Sequence, residues 1–86
     1  MNKVWTDRAW EDYLYWQAND RKILTRINKL LKDIERSPFD GLGKPEPLRY
    51  EFRGAWSRRI DEEHRLIYAA ENDRLVIIAC RFHYED

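Results

Sequence analysis

Two hydrophobic periods divide the chain. As far as Ser37 the apolar residues recur at helical spacing; beyond the prolines that follow, they alternate. Thr6 is a capping residue ahead of Asp7, whose carboxylate suits the positive end of a helix dipole. Trp10, Tyr13, Leu14 and Gln17, with Trp16 alongside, predict a first helix from Asp7 to near Asn19. Asn19 or Asp20 can open a second, in which Ile23, Leu24, Ile27, Leu30, Leu31 and Ile34 form a strong one-sided stripe. It is expected to end at Ser37, because the residue before a proline is driven out of helical backbone. The tight junction makes the two helices an antiparallel hairpin. Lys3-Val4-Trp5 reads as a short strand or an ordered lead-in.

Pro38 to Pro47 is a loop holding all three prolines and two of the three glycines. After it, Leu48 to Phe52, Trp56 to Ile60, Arg65 to Ala70 and Leu75 to Tyr84 read as strands. Arg53-Gly54, the stretch from Asp61 to His64, and Asn72-Asp73 are the turns, and such short connections require antiparallel pairing. The last strand begins apolar on both faces and is expected centrally in the sheet. Val76, Ile78, Cys80 and Phe82 share one parity, assigned here to the core; Ile77, Ala79, Arg81 and His83 share the other, which runs from apolar to polar. The predicted fold is α+β, a helical hairpin packed on a mainly antiparallel sheet, in one domain spanning residues 1–86.

Composition narrows the function classes. So small a domain needs a dense core, and twelve aromatics supply it. Cys80 is the single cysteine, which excludes an intrachain disulfide framework and fits a reducing, cytoplasmic setting. The N-terminus lacks the apolar stretch of a secretory signal, and the apolar run from Leu75 to Cys80 is too short to span a bilayer. Sixteen basic and sixteen acidic residues cancel, so net charge carries no nucleic-acid signal. The distribution is more telling. Lys and Arg are equal up to Gly43, whereas seven Arg and one Lys follow it. Arginine offers the planar fork that suits phosphate.

The candidate chemistry lies in that second half. Glu46 stands between Pro45 and Pro47, so its carboxylate leaves a stiff, extended backbone; the plain alternative is a solvated loop glutamate. His83 brings a side chain type that exchanges protons near neutral pH. His64, in an acidic turn, reads as structural or solvated. Arg58 and Arg59 must point to opposite faces of their strand, and the sequence leaves open which of them reaches a functional face. Arg65 opens the next strand. Two histidines and one cysteine, widely spaced, make no zinc site, and no cofactor motif is present: the glycine loop at Gly41 lacks the nucleotide pattern. A carboxylate, an imidazole and several guanidiniums are the minimum set for metal-free RNA cleavage. Glu46 would take a proton from a 2′-hydroxyl, His83 would give one to the leaving 5′-oxygen, and arginines would carry the phosphorane charge.

Five segments also carry a family resemblance: Trp10-Glu-Asp-Tyr-Leu-Tyr-Trp16, Ser37-Pro-Phe39 through Gly43-Lys-Pro-Glu-Pro-Leu48, Trp56-Ser-Arg-Arg-Ile60, Glu62-Glu-His-Arg-Leu66 and Ala79-Cys-Arg-Phe-His-Tyr84. In this order and spacing, essentially end to end, the chain resembles the YoeB family of bacterial toxin–antitoxin systems, within the RelE/ParE-like toxins. The resemblance implies a RelE-like fold and a ribosome-dependent endonuclease of messenger RNA, neutralised by a cognate antitoxin and able to form a homodimer. It places the base at Glu46, the acid at His83 and the phosphate-stabilising cation at Arg65, with Tyr84 also at the active site. Arg59 is an expected RNA contact, as is Arg49, where family members commonly have Lys. Two rival functions use the same scaffold: a gyrase-poisoning toxin of the ParE type, against which Glu46 and His83 argue, and a non-catalytic RNA-binding module.

Overall fold

A computed structural model describes residues 1–83. Strand β1 (Asn2–Trp5) leads into helix α1 (Asp7–Asn19) and helix α2 (Arg21–Arg36); strands β2 (Glu46–Pro47), β3 (Trp56–Arg59), β4 (Arg65–Glu71) and β5 (Arg74–Ala79) follow. Thr6 caps α1 by accepting the Ala9 N–H, and Asp20 caps α2 by accepting those of Lys22 and Ile23. The strands form one sheet in the order β1-β5-β4-β3-β2. All neighbours are antiparallel except β1, which runs parallel to β5. The helices cover one face of this sheet, where Leu24, Ile27, Leu30, Leu31 and Ile34 of α2 meet Leu66, Tyr68, Leu75 and Ile77. No helix among the described residues is long and apolar enough to cross a membrane.

Three expectations are corrected, and the inward face of α1 is not the set of residues that predicts the helix. Residues Leu48 to Phe52 are not a strand. Pairing with β3 instead falls on the two residues Glu46 and Pro47, and Tyr50–Phe52 is a 3-10 turn with Tyr50 at φ 54°. The buried line of α1 is Ala9, Asp12 and Trp16, whereas Trp10 and Leu14 are exposed; Trp10 stacks with Tyr13, and both pack against Trp5. The last strand stops at Ala79 and takes an inner place rather than the centre, which belongs to β4. Its parity is also reversed, with Leu75 and Ile77 facing the helices. Ile67 pairs with Ala79 while Tyr68 pairs with Ile77, so Ile78 is an extra residue. This bulge shifts the alternation by one and returns Cys80 to the helix-side core.

Candidate active site

No α-helix among the described residues packs on the other face of the sheet, and its middle is nevertheless buried. Ala55, Ile67 and Ala79 form a small buried cluster on it, flanked by Leu48 and Ile78. Cross-strand partners share a face, so the register places Glu46, Ser57, Ile67 and Ala79 in one row across this surface. Arg59 and Arg65 are partners in the next row on the same side. With strands about 4.8 Å apart, the β2 backbone lies roughly 10 Å from that of β4.

Each side chain is delivered by its local structure. Glu46 is exposed on the edge strand between its two prolines. Arg59 is exposed; its N–H donates to Gly43 O (2.7 Å), and its own carbonyl accepts from Arg26 Nη2 (3.3 Å). Arg65 is half-buried, and its Nη1 donates to the carbonyls of Asp61 (2.8 Å), Glu62 (3.3 Å) and His64 (3.1 Å). That guanidinium therefore ties down the turn before β4. Its backbone N–H meets Phe82 O at 2.9 Å, which brings the segment leading to exposed His83 beside Arg65. Arg49 is exposed just beyond β2. Tyr84 lies outside the described residues. Among the described residues, no group of three His, Cys, Asp or Glu side chains lies together where it could hold a metal ion.

Arg58 resolves the question its neighbour posed. It faces the helices and is completely buried. Nε donates to Tyr68 Oη (3.2 Å), Nη1 to Asp33 Oδ2 (2.5 Å) and Leu42 O (3.1 Å), and Nη2 to Ser37 O (2.6 Å) and Asp40 O (2.9 Å). All five guanidinium donors are used. Tyr68 Oη in turn donates to Pro38 O (2.6 Å). The Leu42 N–H, Arg36 and Arg58 together hold the Asp33 carboxyl well below the usual carboxylate range. Arg58 thus fastens the loop that arrives at Glu46. Gly41, at φ 121°, admits this packing, because a Cβ there would lie 2.2 Å from Asp33 Oδ2. Sequence reasoning missed this hub, although Asp33 interrupting the apolar stripe of α2 was the signal for it.

The helices also hold the segment after β5. Cys80 N–H donates to Asp12 Oδ2 (3.0 Å), and Trp16 Nε1 donates to Cys80 O (2.8 Å). Arg81, expected to extend the helix-free face, lies instead over the Tyr15 ring of α1 at 3.5 Å. Burial, reinforced by Asp12, pushes the Cys80 thiol up to about 12, so it is no nucleophile at neutral pH. His64 is buried in the turn that Arg65 ties down, with its ring edge-on to Trp16.

Residues 5–84 match the family model described as the YoeB-like toxin of bacterial type II toxin–antitoxin systems. The toxin YoeB of Escherichia coli K12 is 56% identical over 84 residues, covering 98% of this chain and all of that one. Two solved chains from Staphylococcus aureus each cover 98% of this chain and are 98% covered themselves. One is a YoeB dimer at TM-score 0.92 and 44% identity; the other is a YoeB–YefM complex at TM-score 0.91 and 42% identity.

Proposed function

This chain belongs to the YoeB-like toxin family of type II toxin–antitoxin systems, and from that premise we propose that it is a ribosome-dependent endoribonuclease that cuts translated messenger RNA. One observation carries the chemistry. Glu46, Arg59 and Arg65 share the helix-free face of the sheet, and a backbone hydrogen bond to Arg65 brings the His83 segment alongside. In this reading RNA lies across β2, β3 and β4. Glu46 removes the proton of a ribose 2′-hydroxyl, and the 2′-oxygen attacks the adjacent phosphorus. Arg65 and Arg59 stabilise the extra negative charge of the phosphorane. His83 protonates the departing 5′-oxygen as the P–O5′ bond breaks, leaving a 2′,3′-cyclic phosphate and a free 5′-hydroxyl. Attack by a neighbouring hydroxyl gains effective concentration over water. Tyr84 joins this centre by family resemblance, and Arg49 is positioned to meet the RNA backbone beside β2.

The partners follow from the same premise. A cognate antitoxin would lay an acidic or amphipathic segment over the helix-free face, ordering as it binds and covering Arg59, Arg65 and His83. The chain would also pair with a second copy, as the YoeB of S. aureus does in its dimer structure. The ribosome and its message are cytoplasmic, which places the activity there.

The test is cleavage of a message on programmed ribosomes by wild type, Glu46→Gln and His83→Gln. Losing a general acid or base costs about 10²–10⁴-fold in rate, and both side chains are exposed, so the variants should fold and bind ribosomes while cutting that much more slowly. Wild-type cutting by both variants would overturn the assignment. Gyrase inhibition without any cutting would favour the ParE-type alternative.

A further inference from the structure

Strand pairing ends at Ala79, and none guides the chain from Cys80 to His83. Three side chains and one backbone N–H do so instead. Cys80 is held by Asp12 and Trp16 of α1. Two residues later, Phe82 has both backbone groups engaged: its N–H donates to His64 Nδ1 (2.7 Å), and its carbonyl accepts the Arg65 N–H (2.9 Å). Phe82 has φ 72°, in the left-handed region that a side chain of this size rarely adopts. Such a backbone persists only where its surroundings over-determine it.

We propose that His64 is a positioning residue for His83, the imidazole Nδ1 acting as the acceptor that fixes the Phe82 backbone and so aims the residue after it. This rests on the reading of His83 as the general acid. The ring is well placed for the task. It is buried edge-on to Trp16, with centroids 4.8 Å apart, and close to Phe82 at 6.0 Å. Its own backbone is fixed because Asp61 Oδ1 accepts the His64 N–H (2.6 Å), while Arg65 Nη1 caps the Asp61 and His64 carbonyls. An Nδ1 that accepts must carry its lone pair, so the ring proton sits on Nε2, the atom 3.7 Å from Glu63 Oε1. Two adjacent residues, His64 and Arg65, thereby set the path of the chain into His83.

Two measurements decide the proposal. In the ¹⁵N-labelled wild type, a coupling across the hydrogen bond should join the Phe82 amide nitrogen to His64 Nδ1; a protonated Nδ1 without that coupling would overturn it. His64→Phe keeps a ring against Trp16 but removes the acceptor, whereas His64→Asn returns an acceptor at the same distance from the backbone. The Phe variant should exchange its Phe82 amide at least ~10-fold faster and cut translated message ~10–100-fold more slowly, the order of loss that a misplaced catalytic group produces. Asn should restore most of both. A folded Phe variant with normal Phe82 protection and normal cutting would contradict the proposal, as would an Asn variant that restores protection but not cutting. If wild type cuts no message at all, the endoribonuclease reading fails, while coupling and exchange still decide whether His64 holds Phe82.

Discussion

Arg58 and Arg59 are adjacent in sequence and opposite in role, because successive residues of a strand face opposite ways. Arg58→Met would take from Asp33 its fully buried cationic partner, leaving Arg36 and the Leu42 N–H, and would leave the Ser37 and Asp40 carbonyls without the guanidinium that bonds them. Breaking a buried pair from one side costs about 3–5 kcal/mol, so urea unfolding should show a loss of that size. Arg59→Met, at an exposed position, should change stability by no more than about 0.5 kcal/mol while weakening the RNA chemistry. That the two arginines divide between faces was legible from parity; which one lies inside was not, since β3 has polar residues on both sides. Glu46 and His83 stood out in the sequence through chemistry and proline flanks. The His64 acceptor did not, because its partner is a backbone N–H eighteen residues away. Cys80 gives a separate check on the core. With its thiol pushed up to about 12, it should stay inert to a thiol reagent at pH 8 and react promptly once denaturant is added; rapid reaction of the native protein would contradict its burial.

The helices and the turns were readable because each carries its own local signal. Thr6, Asp20 and Pro38 bound the helices, and Asn72-Asp73, both at positive φ, makes the tight turn between β4 and β5. Strand β2 was not readable. Its two residues form a strand only because β3 lies beside them, while the alternating stretch after it is pulled into a 3-10 turn. The bulge at Ile78 likewise arises from pairing and leaves no mark in the alternation. The loop that leads to β2 depends on the Asp33–Arg58 pair, which gives it a pH signature. The folded Asp33 carboxyl lies below its ordinary value of 3.8. Its stabilisation is therefore fully present above about pH 4 and is lost as pH falls below that value toward the lower folded one. Thermal melts of wild type should fall with pH in that window, and Asp33→Asn, already less stable, should fall less steeply. Parallel slopes would show that the pair does not carry this linkage.

At the scale of the whole molecule, the fold leaves one sheet face without a helix and places Arg59 and Arg65 there, on a chain of zero net charge. Few phosphates can be neutralised by so small a surface, so free RNA gains little from counterion release. The ribosome would then supply most of the affinity and hold the message in line, and a translated message should be cut far faster than the same RNA alone. The most direct test combines this requirement with the chemistry: a programmed ribosome whose message carries a single 2′-deoxynucleotide on the 5′ side of the scissile bond. The all-ribose message should be cut to a 2′,3′-cyclic or 3′-phosphate and a free 5′-hydroxyl, and the deoxy message should survive at that bond. Cutting of the deoxy message there at the normal rate would contradict attack by the 2′-hydroxyl and the role assigned to Glu46.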